Sequence, residues 1–373
     1  LIAARAIQGV GGAIAAPAAL TTLTTLYREG AGRTRALGYY TAISIGASAL
    51  GLIAGGMLTQ WLSWRWVLLV NVPIGIALVV IAYLVVPDSE RARGRVDIPG
   101  AVTSTLGMSL LVYGFIRAAS SGWTDALTLL AFAGGLALLG AFVAIERIAD
   151  APITPLHLFA DRGRTSAFIA RALLTSGMQG MFFFLSQFLQ SVLGYSPLVT
   201  GLGFLPITVC LFVASQASSR WLLERFGMRP VMIVGIAMST LGTLWLTRLG
   251  AGSDYLSVLG PLVLCGIGNG LAFVPLTGAG LARVAPADAG AASGLVNVTQ
   301  QVGGSLGLAL LVSIFGGAAQ AAAQHPIASV GSELQTRYAF AFGADRAFLV
   351  AAVCIVGTLL LAIFAIRTPR QPA

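Results

Sequence analysis

Three sets of polar residues are spaced so that each falls on one face of a helix. Arg5, Gln8, Gly12 and Ala16 follow an i, i+3, i+7, i+11 spacing. Arg171, Thr175, Gln179, Phe182, Ser186 and Gln190 fall within an arc of about 100° at 3.6 residues per turn. Asn297, Gln300, Gly304 and Gly307 form a third stripe, with Ser293 and Gln301 beside it. Each stripe is embedded in an apolar run. Amides, hydroxyls and a guanidinium can hold a ligand, and Met178, Met181, Phe183 and Phe184 next to the second stripe add adaptable apolar surface. This chemistry suits reversible binding of amphipathic molecules. No nucleophile, base and metal cluster of the kind that makes or breaks bonds is evident, so an enzyme is not expected. A nucleotide-driven pump is disfavoured because the chain has no GxxxxGK[ST] loop.

The elements that carry these stripes follow from composition. Of 373 residues, 57% are hydrophobic and 9% charged, and the mean hydropathy is +0.88. A soluble domain carries roughly 25% charged residues, so the balance points to an all-α polytopic membrane protein. Spans of about 20 apolar residues are expected near 1–26, 36–60, 66–86, 98–118, 127–147, 166–190, 198–221, 230–249, 256–281, 291–316 and 346–367. These runs are too long and too continuously apolar for the alternation of a membrane barrel.

The net charge of +9 comes from 22 Arg, with no Lys, against 13 acids. The arginines sit in short loops, which points to membrane topology and not to a nucleic-acid partner. Alternate loops collect Arg28, Arg33, Arg35, Arg91, Arg93, Arg95, Arg147, Arg162, Arg164, Arg220, Arg225, Arg229, Arg283, Arg367 and Arg370 on one side. Only Arg65, Arg117, Arg248, Arg337 and Arg346 fall on the other. The positive-inside rule places the first set and the C-terminus in the cytoplasm. The chain opens on Leu1 inside an apolar helix, so further spans are expected upstream.

Cys210, Cys265 and Cys354 each stand alone in an apolar run and read as small core residues, while His157 and His325 lie in loops away from ligand-like clusters. No metal or cofactor is expected. Arg5 has two readings: a charge facing a packed polar interior beside Gln8, or an arginine snorkelling to the outer interface. Ala47, Gly51 and Gly55 repeat every four residues, with Gly46 and Gly56 beside them, a spacing that allows either simple close packing or a conformational hinge. The Asn297 stripe could equally serve hydrogen bonding between helices. No Asp or Glu falls in the middle of an expected span; Asp125 and Glu146 are at span ends.

Internal repetition is weak but visible. Gln8-Gly-Val-Gly-Gly12 followed by Pro17 is similar to Cys265-Gly-Ile-Gly-Asn269 followed by Pro275. Two related bundles are a common plan for secondary transporters. Arg5-Ala-Ile-Gln8-Gly9 resembles the fourth-helix motif of major facilitator superfamily exporters. Ala49-Leu-Gly51-Leu-Ile-Ala-Gly55-Gly56, then Trp64-Arg65-Trp66 and Asn71-Val-Pro73-Ile-Gly75, resembles the fifth-helix antiporter motif and its continuation in the fourteen-helix drug and proton antiporters. Arg225-Phe-Gly227-Met-Arg229-Pro230 is similar to the second copy of the loop motif between helices two and three, and Asn297-Val-Thr-Gln300-Gln301-Val-Gly303-Gly304 to a late-helix pattern of that branch. Leu52 departs from the motif, which usually has Pro there.

The resemblance covers essentially the whole chain and implies family helices four to fourteen. Residues 1–86 would then be part of an N-terminal bundle, 87–150 a central helix pair, and 151–373 a six-helix C-terminal bundle. It implies a monomeric exporter in the inner (plasma) membrane that exchanges protons for drugs, antibiotics or other amphipathic or cationic molecules. Arg5 and Gln8 would serve proton coupling, and Gly51, Gly55 and Gly56 the conformational change. Arg171, Gln179, Phe182, Ser186, Asn297 and Gln300 are the expected substrate-binding residues. The acidic proton carrier would lie in a helix ahead of Leu1, and a chain without that helix is not expected to transport alone. Two alternatives are an exporter dedicated to one metabolite and a membrane sensor or assembly protein that does not transport.

Overall fold

The computed structural model describes residues 2–26, 43, 47, 50–85, 97–150, 152–285, 288–324 and 332–366. Arg28, Arg33, Arg35, Arg91, Arg93, Arg95, Arg367 and Arg370, with Gly46 and His325, lie outside them. Among the described residues the secondary structure is helical with no strand, and nine helical stretches are long and apolar enough to cross a membrane. This is the all-α polytopic fold expected from hydropathy. Of the other two expected spans, 1–26 is a helix and 36–60 is described only at 43, 47 and 50–60.

The chain divides into two compact units, Leu1–Ala54 and Gly55–Ala373. The first contains α1 (Ile2–Leu26). Helix α2 is described over 50–61. In the second unit, α3 (Trp64–Leu69) and α4 (Asn71–Val85) form one broken span. Pro73 lacks the N–H that would donate to the carbonyl of Leu69, and just before it Asn71 Nδ2 donates to the Val67 carbonyl at 3.2 Å.

Helices α5 (Ile98–Ser121) and α6 (Ala126–Ile148) pack as a hairpin. Asp97 and Asp125 cap their N-termini by accepting from Gly100 N and Thr128 N. A Cβ on Gly107 would lie 3.1 Å from the Gly135 carbonyl, so the two backbones nearly touch. Phe115, Trp123 and Phe132 close the turn with ring centroids 4.9 to 6.1 Å apart.

The remaining helices form a bundle of six spans. They are α7 (Arg162–Ser191), α8 to α10 (Pro197–Gly203, Leu205–Ala217 and Leu223–Phe226), α11 (Met228–Leu246), α12 (Tyr255–Leu281), α13 (Ala289–Gln324) and α14 (Ser332–Phe364). The α8–α10 span bends at Phe204, ahead of Pro206, and again through a π-helical turn at Ser218–Leu222. Ala167, Leu174, Met232, Ile236, Ala272, Leu276, Ile355 and Ala362 join α7, α11, α12 and α14 in one buried core. Pro275 inside α12 leaves the Leu271 carbonyl without its usual donor, and Ser218 Oγ donates to it at 3.4 Å.

Two helices exceed their expected spans. α13 continues to Gln324 instead of ending near 316, and α14 starts at Ser332 instead of near 346. Hydropathy marks membrane depth, whereas Ala-rich and Gln-containing segments such as 318–324 remain good helix formers in water. The 36 residues of α13 span about 54 Å against a hydrocarbon core of about 30 Å. Asp345 and Arg346 therefore lie within α14, at the edge of its apolar stretch.

Candidate functional site

Asp161 starts α7 by accepting from Arg164 N at 2.8 Å. The Arg164 side chain is buried and turns back to the Leu158, Ala282 and Arg283 carbonyls at 3.3, 3.2 and 3.1 Å. A guanidinium at helix C-termini satisfies carbonyls that have no donor and complements the negative dipole end. Arg283 itself has a positive φ of 55°, in the left-handed region. Nearby, His157 meets Asp288 at 2.9 Å, a pairing not anticipated for a loop histidine. These contacts fix the end of α7 against α12 and the start of α13, and so set the register of the two polar stripes.

Arg171 lies nine residues after Arg162, about 14 Å along α7. Its Nη1 donates to the Phe273 carbonyl at 3.3 Å and to Thr277 Oγ1 at 3.0 Å. Its Nη2 donates to Gln300 Oε1 at 2.6 Å, and the guanidinium carbon sits 4.5 Å from the Phe273 ring centroid. Arg171 thus links α7, α12 and α13. All these acceptors are uncharged, and Nε is buried without a hydrogen-bond partner.

The α7 and α13 backbones approach closely enough that a Cβ on Gly303 would strike the Ala172 backbone, and one on Gly307 would strike Ser176. Ser176 Oγ also donates to the Gly303 carbonyl at 2.7 Å. Thr175 and Gln179 reach Gly304, whose added Cβ would meet Gln179 Cγ at 3.1 Å. The two stripes therefore meet at Arg171 with Gln300 and at Gln179 with Gly304.

Other expected site residues sit apart from that junction. Phe182 is half-buried, with its ring 5.3 Å from Phe204 at the α8–α9 bend. Ser186 donates to the Phe183 carbonyl of its own helix, and the exposed Asn297 donates to the Ser293 carbonyl. Arg5 and Gln8 are exposed on α1 in the first unit, where Arg5 Nη1 donates to Gln8 Oε1 at 2.6 Å. Gly51 and Gly55 have open space around them. Gly56 is buried, and a Cβ there would lie 2.7 Å from the Pro197 carbonyl and 2.9 Å from Leu198 Cα. Next to it, Leu198 N donates to Gln60 Oε1 at 3.3 Å, joining α2 to the start of α8.

Phe273, Thr277 and Gln60 are polar partners that the stripes did not reveal. Thr277 stands alone in an apolar run and reads as a residue bonding back to its own helix, which it also does, at 2.8 Å to Phe273 O.

The family profile of the Major Facilitator Superfamily matches residues 1–308. A cephamycin export protein of Amycolatopsis lactamdurans is 40% identical over 364 residues, covering 96% of this chain and 73% of that protein. A puromycin resistance protein of Streptomyces alboniger is 38% identical over 369 residues, covering 97% of this chain and 71% of its own length. A lincomycin resistance protein of Streptomyces lincolnensis is 33% identical over 319 residues, 84% of this chain and 65% of that protein. With its helical spans, its paired polar stripes and a profile match over most of its length, the chain belongs to the Major Facilitator Superfamily.

Proposed function

We propose that this multi-pass membrane transporter exports antibiotics or related amphipathic organic molecules, exchanging them for protons by alternating access. The observation that carries the reading is the polar junction of α7 and α13, where Arg171, Gln300, Thr175 and Gln179 come together between helices that are otherwise apolar. Lipid would penalise such a face, so it belongs in a protein interior or a hydrated path. The export and resistance roles in the relatives' names support the substrate class.

In this reading Arg171, Gln179, Phe182, Ser186, Asn297 and Gln300 line the substrate path from the C-terminal bundle, 151–373. Residues 1–86 contribute the opposing bundle and 87–150 the central pair. Gly51, Gly55 and Gly56 serve the conformational change, and the contact of Gly56 with Pro197 supports this, since a backbone contact free of side chains can open and reclose. Arg5 and Gln8 serve proton coupling, because a cation near a carboxylic acid favours its charged form. The protein acts as a monomer in the inner (plasma) membrane with its C-terminus in the cytoplasm, an orientation supported by Arg147, Arg162, Arg164, Arg220, Arg225, Arg229 and Arg283 at or next to span ends on one side.

The test is uptake of a labelled cephamycin, which carries a carboxylate, and of labelled puromycin, which carries an amine, into everted vesicles bearing the protein. An imposed interior-acid pH gradient should drive accumulation, and a protonophore should abolish it. Accumulation of both compounds equal to that of vesicles lacking the protein would overturn the export reading, and accumulation indifferent to the protonophore would overturn proton coupling.

A further inference from the structure

The membrane interior of the C-terminal bundle has an unbalanced charge. Arg171 forms its hydrogen bonds with the Phe273 carbonyl, the Thr277 hydroxyl and the Gln300 amide, and none of these carries a negative charge. α13 contains no ionisable side chain along its whole length, and α12 contains no charged one. In α7 the other charged residues, Arg162 and Arg164, are in the first turn and are also basic. In α14, Glu333, Arg337 and the adjacent Asp345 and Arg346 fall in the half farther from the cytoplasmic end. The acids closest to Arg171 along the two stripe helices are Asp161 and Asp288. The first lies ten residues before Arg171 and caps α7; the second lies twelve residues before Gln300 and pairs with His157. At 1.5 Å per residue these are about 15 and 18 Å away.

A guanidinium withdrawn from water without a counter-ion casts a positive potential on the groups beside it, and that potential is poorly screened at low dielectric. Gln179 and Asn297, both exposed, lie on the same two helix faces about one to two turns from the Arg171–Gln300 pair. We propose that Arg171 is a selectivity-determining residue that makes the α7–α13 face accept anionic substrates, those bearing a carboxylate or comparable acid, and disfavour permanent cations. This rests on the export reading, and it narrows the substrate class from amphipathic or cationic molecules to anionic and neutral ones. At an effective dielectric constant of about 20, a unit charge 8 Å away changes a monovalent ligand's affinity by roughly thirtyfold. An anion gains that factor and a cation loses it.

The test is equilibrium binding of three fluorescent probes of one shape to the full chain in lipid nanodiscs. They are dansylglycine, its uncharged amide, and a dansyl derivative ending in trimethylammonium. Energy transfer from tryptophan reports binding after subtraction of protein-free discs. The expected order is anion, then neutral, then cation, with about tenfold or more at each step. Arg171→Gln should compress the three affinities to within about threefold, and Arg171→Lys should retain the order. Gln300→Glu supplies the missing carboxylate while keeping the hydrogen bond, so it should also remove the anion preference without depending on the tolerance of the fold for loss of Arg171. Survival of the order in both Arg171→Gln and Gln300→Glu, or tightest binding of the cation to the unmodified chain, would overturn the proposal. Binding is read without flux. A charge ranking in a protein that fails the vesicle assay would count against export and leave this inference standing, and flux without a ranking would do the reverse.

Discussion

At the scale of single residues, two arginines in α7 do different work. Arg164 holds three carbonyls at helix ends, and Arg171 links three helices through neutral acceptors. Removing a buried charged donor leaves its partners unsatisfied, at a cost of roughly 2–4 kcal/mol. Arg164→Ala should therefore lower the thermal midpoint of the purified protein clearly. Arg164→Lys should restore little, because a single ammonium does not reproduce the planar fork; a lysine variant that melts with the unmodified protein would refute this account. Asp125 offers a pH handle outside the spans. Its carboxyl is held below the ordinary value near 3.8, first by the Arg117 side chain and then by the Thr128 backbone N–H. A depressed acid adds stability that is fully present above its ordinary value and is lost as pH falls through the lowered one. Stability should thus fall between pH 4 and more acid conditions by more in the unmodified protein than in Asp125→Asn, and parallel acid curves for the two would remove Asp125 from the explanation.

At the scale of helices, glycine placement decides which neighbours are locked together. Gly307 meets Ser176 across the α7–α13 contact, while Gly317, ten residues later on the same helix, has nothing near it. Gly307→Val should force the pair apart and destabilise the bundle by 3 kcal/mol or more, a value on the order of overpacked cores at their worst. Gly317→Ala should be tolerated or should stabilise by about 0.5–1 kcal/mol through helix propensity. Thermal unfolding of both variants measures the contrast, and similar midpoints would show that the close approach is unimportant. Most of the helical architecture was legible in the sequence, because spans announce themselves by length and hydropathy, and the stripes of α7 and α13 by their 3.6-residue period. The extensions of α13 and α14 were hidden because helix formation outside the apolar layer leaves no hydropathy signal. Thr277 and the Phe273 carbonyl were hidden for another reason. Their role depends on which helix lies opposite, and a backbone carbonyl has no signature in residue type. Gln60 falls under the same limit, since its partner is the Leu198 N–H exposed at the start of α8.

At the scale of the whole molecule, the proposed transport cycle relies on the polar, positively charged seam between α7 and α13 and would need the α2–α8 contact to open and close. If that contact is part of the transport cycle, a disulfide between Gln60→Cys and Leu198→Cys should halt drug accumulation, and reduction should restore it. Undiminished transport by the cross-linked protein would separate the contact from the cycle. The central claim is that the α7–α13 face lines the path of the substrate, and it is tested most directly at Gln179. In a variant with Cys210, Cys265 and Cys354 replaced by Ala, a single Gln179→Cys would be reacted with a small water-soluble maleimide in membranes, with and without a transported antibiotic. The account predicts ready labelling that slows at least severalfold when the antibiotic is bound. A cysteine at 179 that resists the water-soluble reagent yet reacts with a lipid-soluble one, at a rate indifferent to the antibiotic, would place this face in lipid and contradict the account.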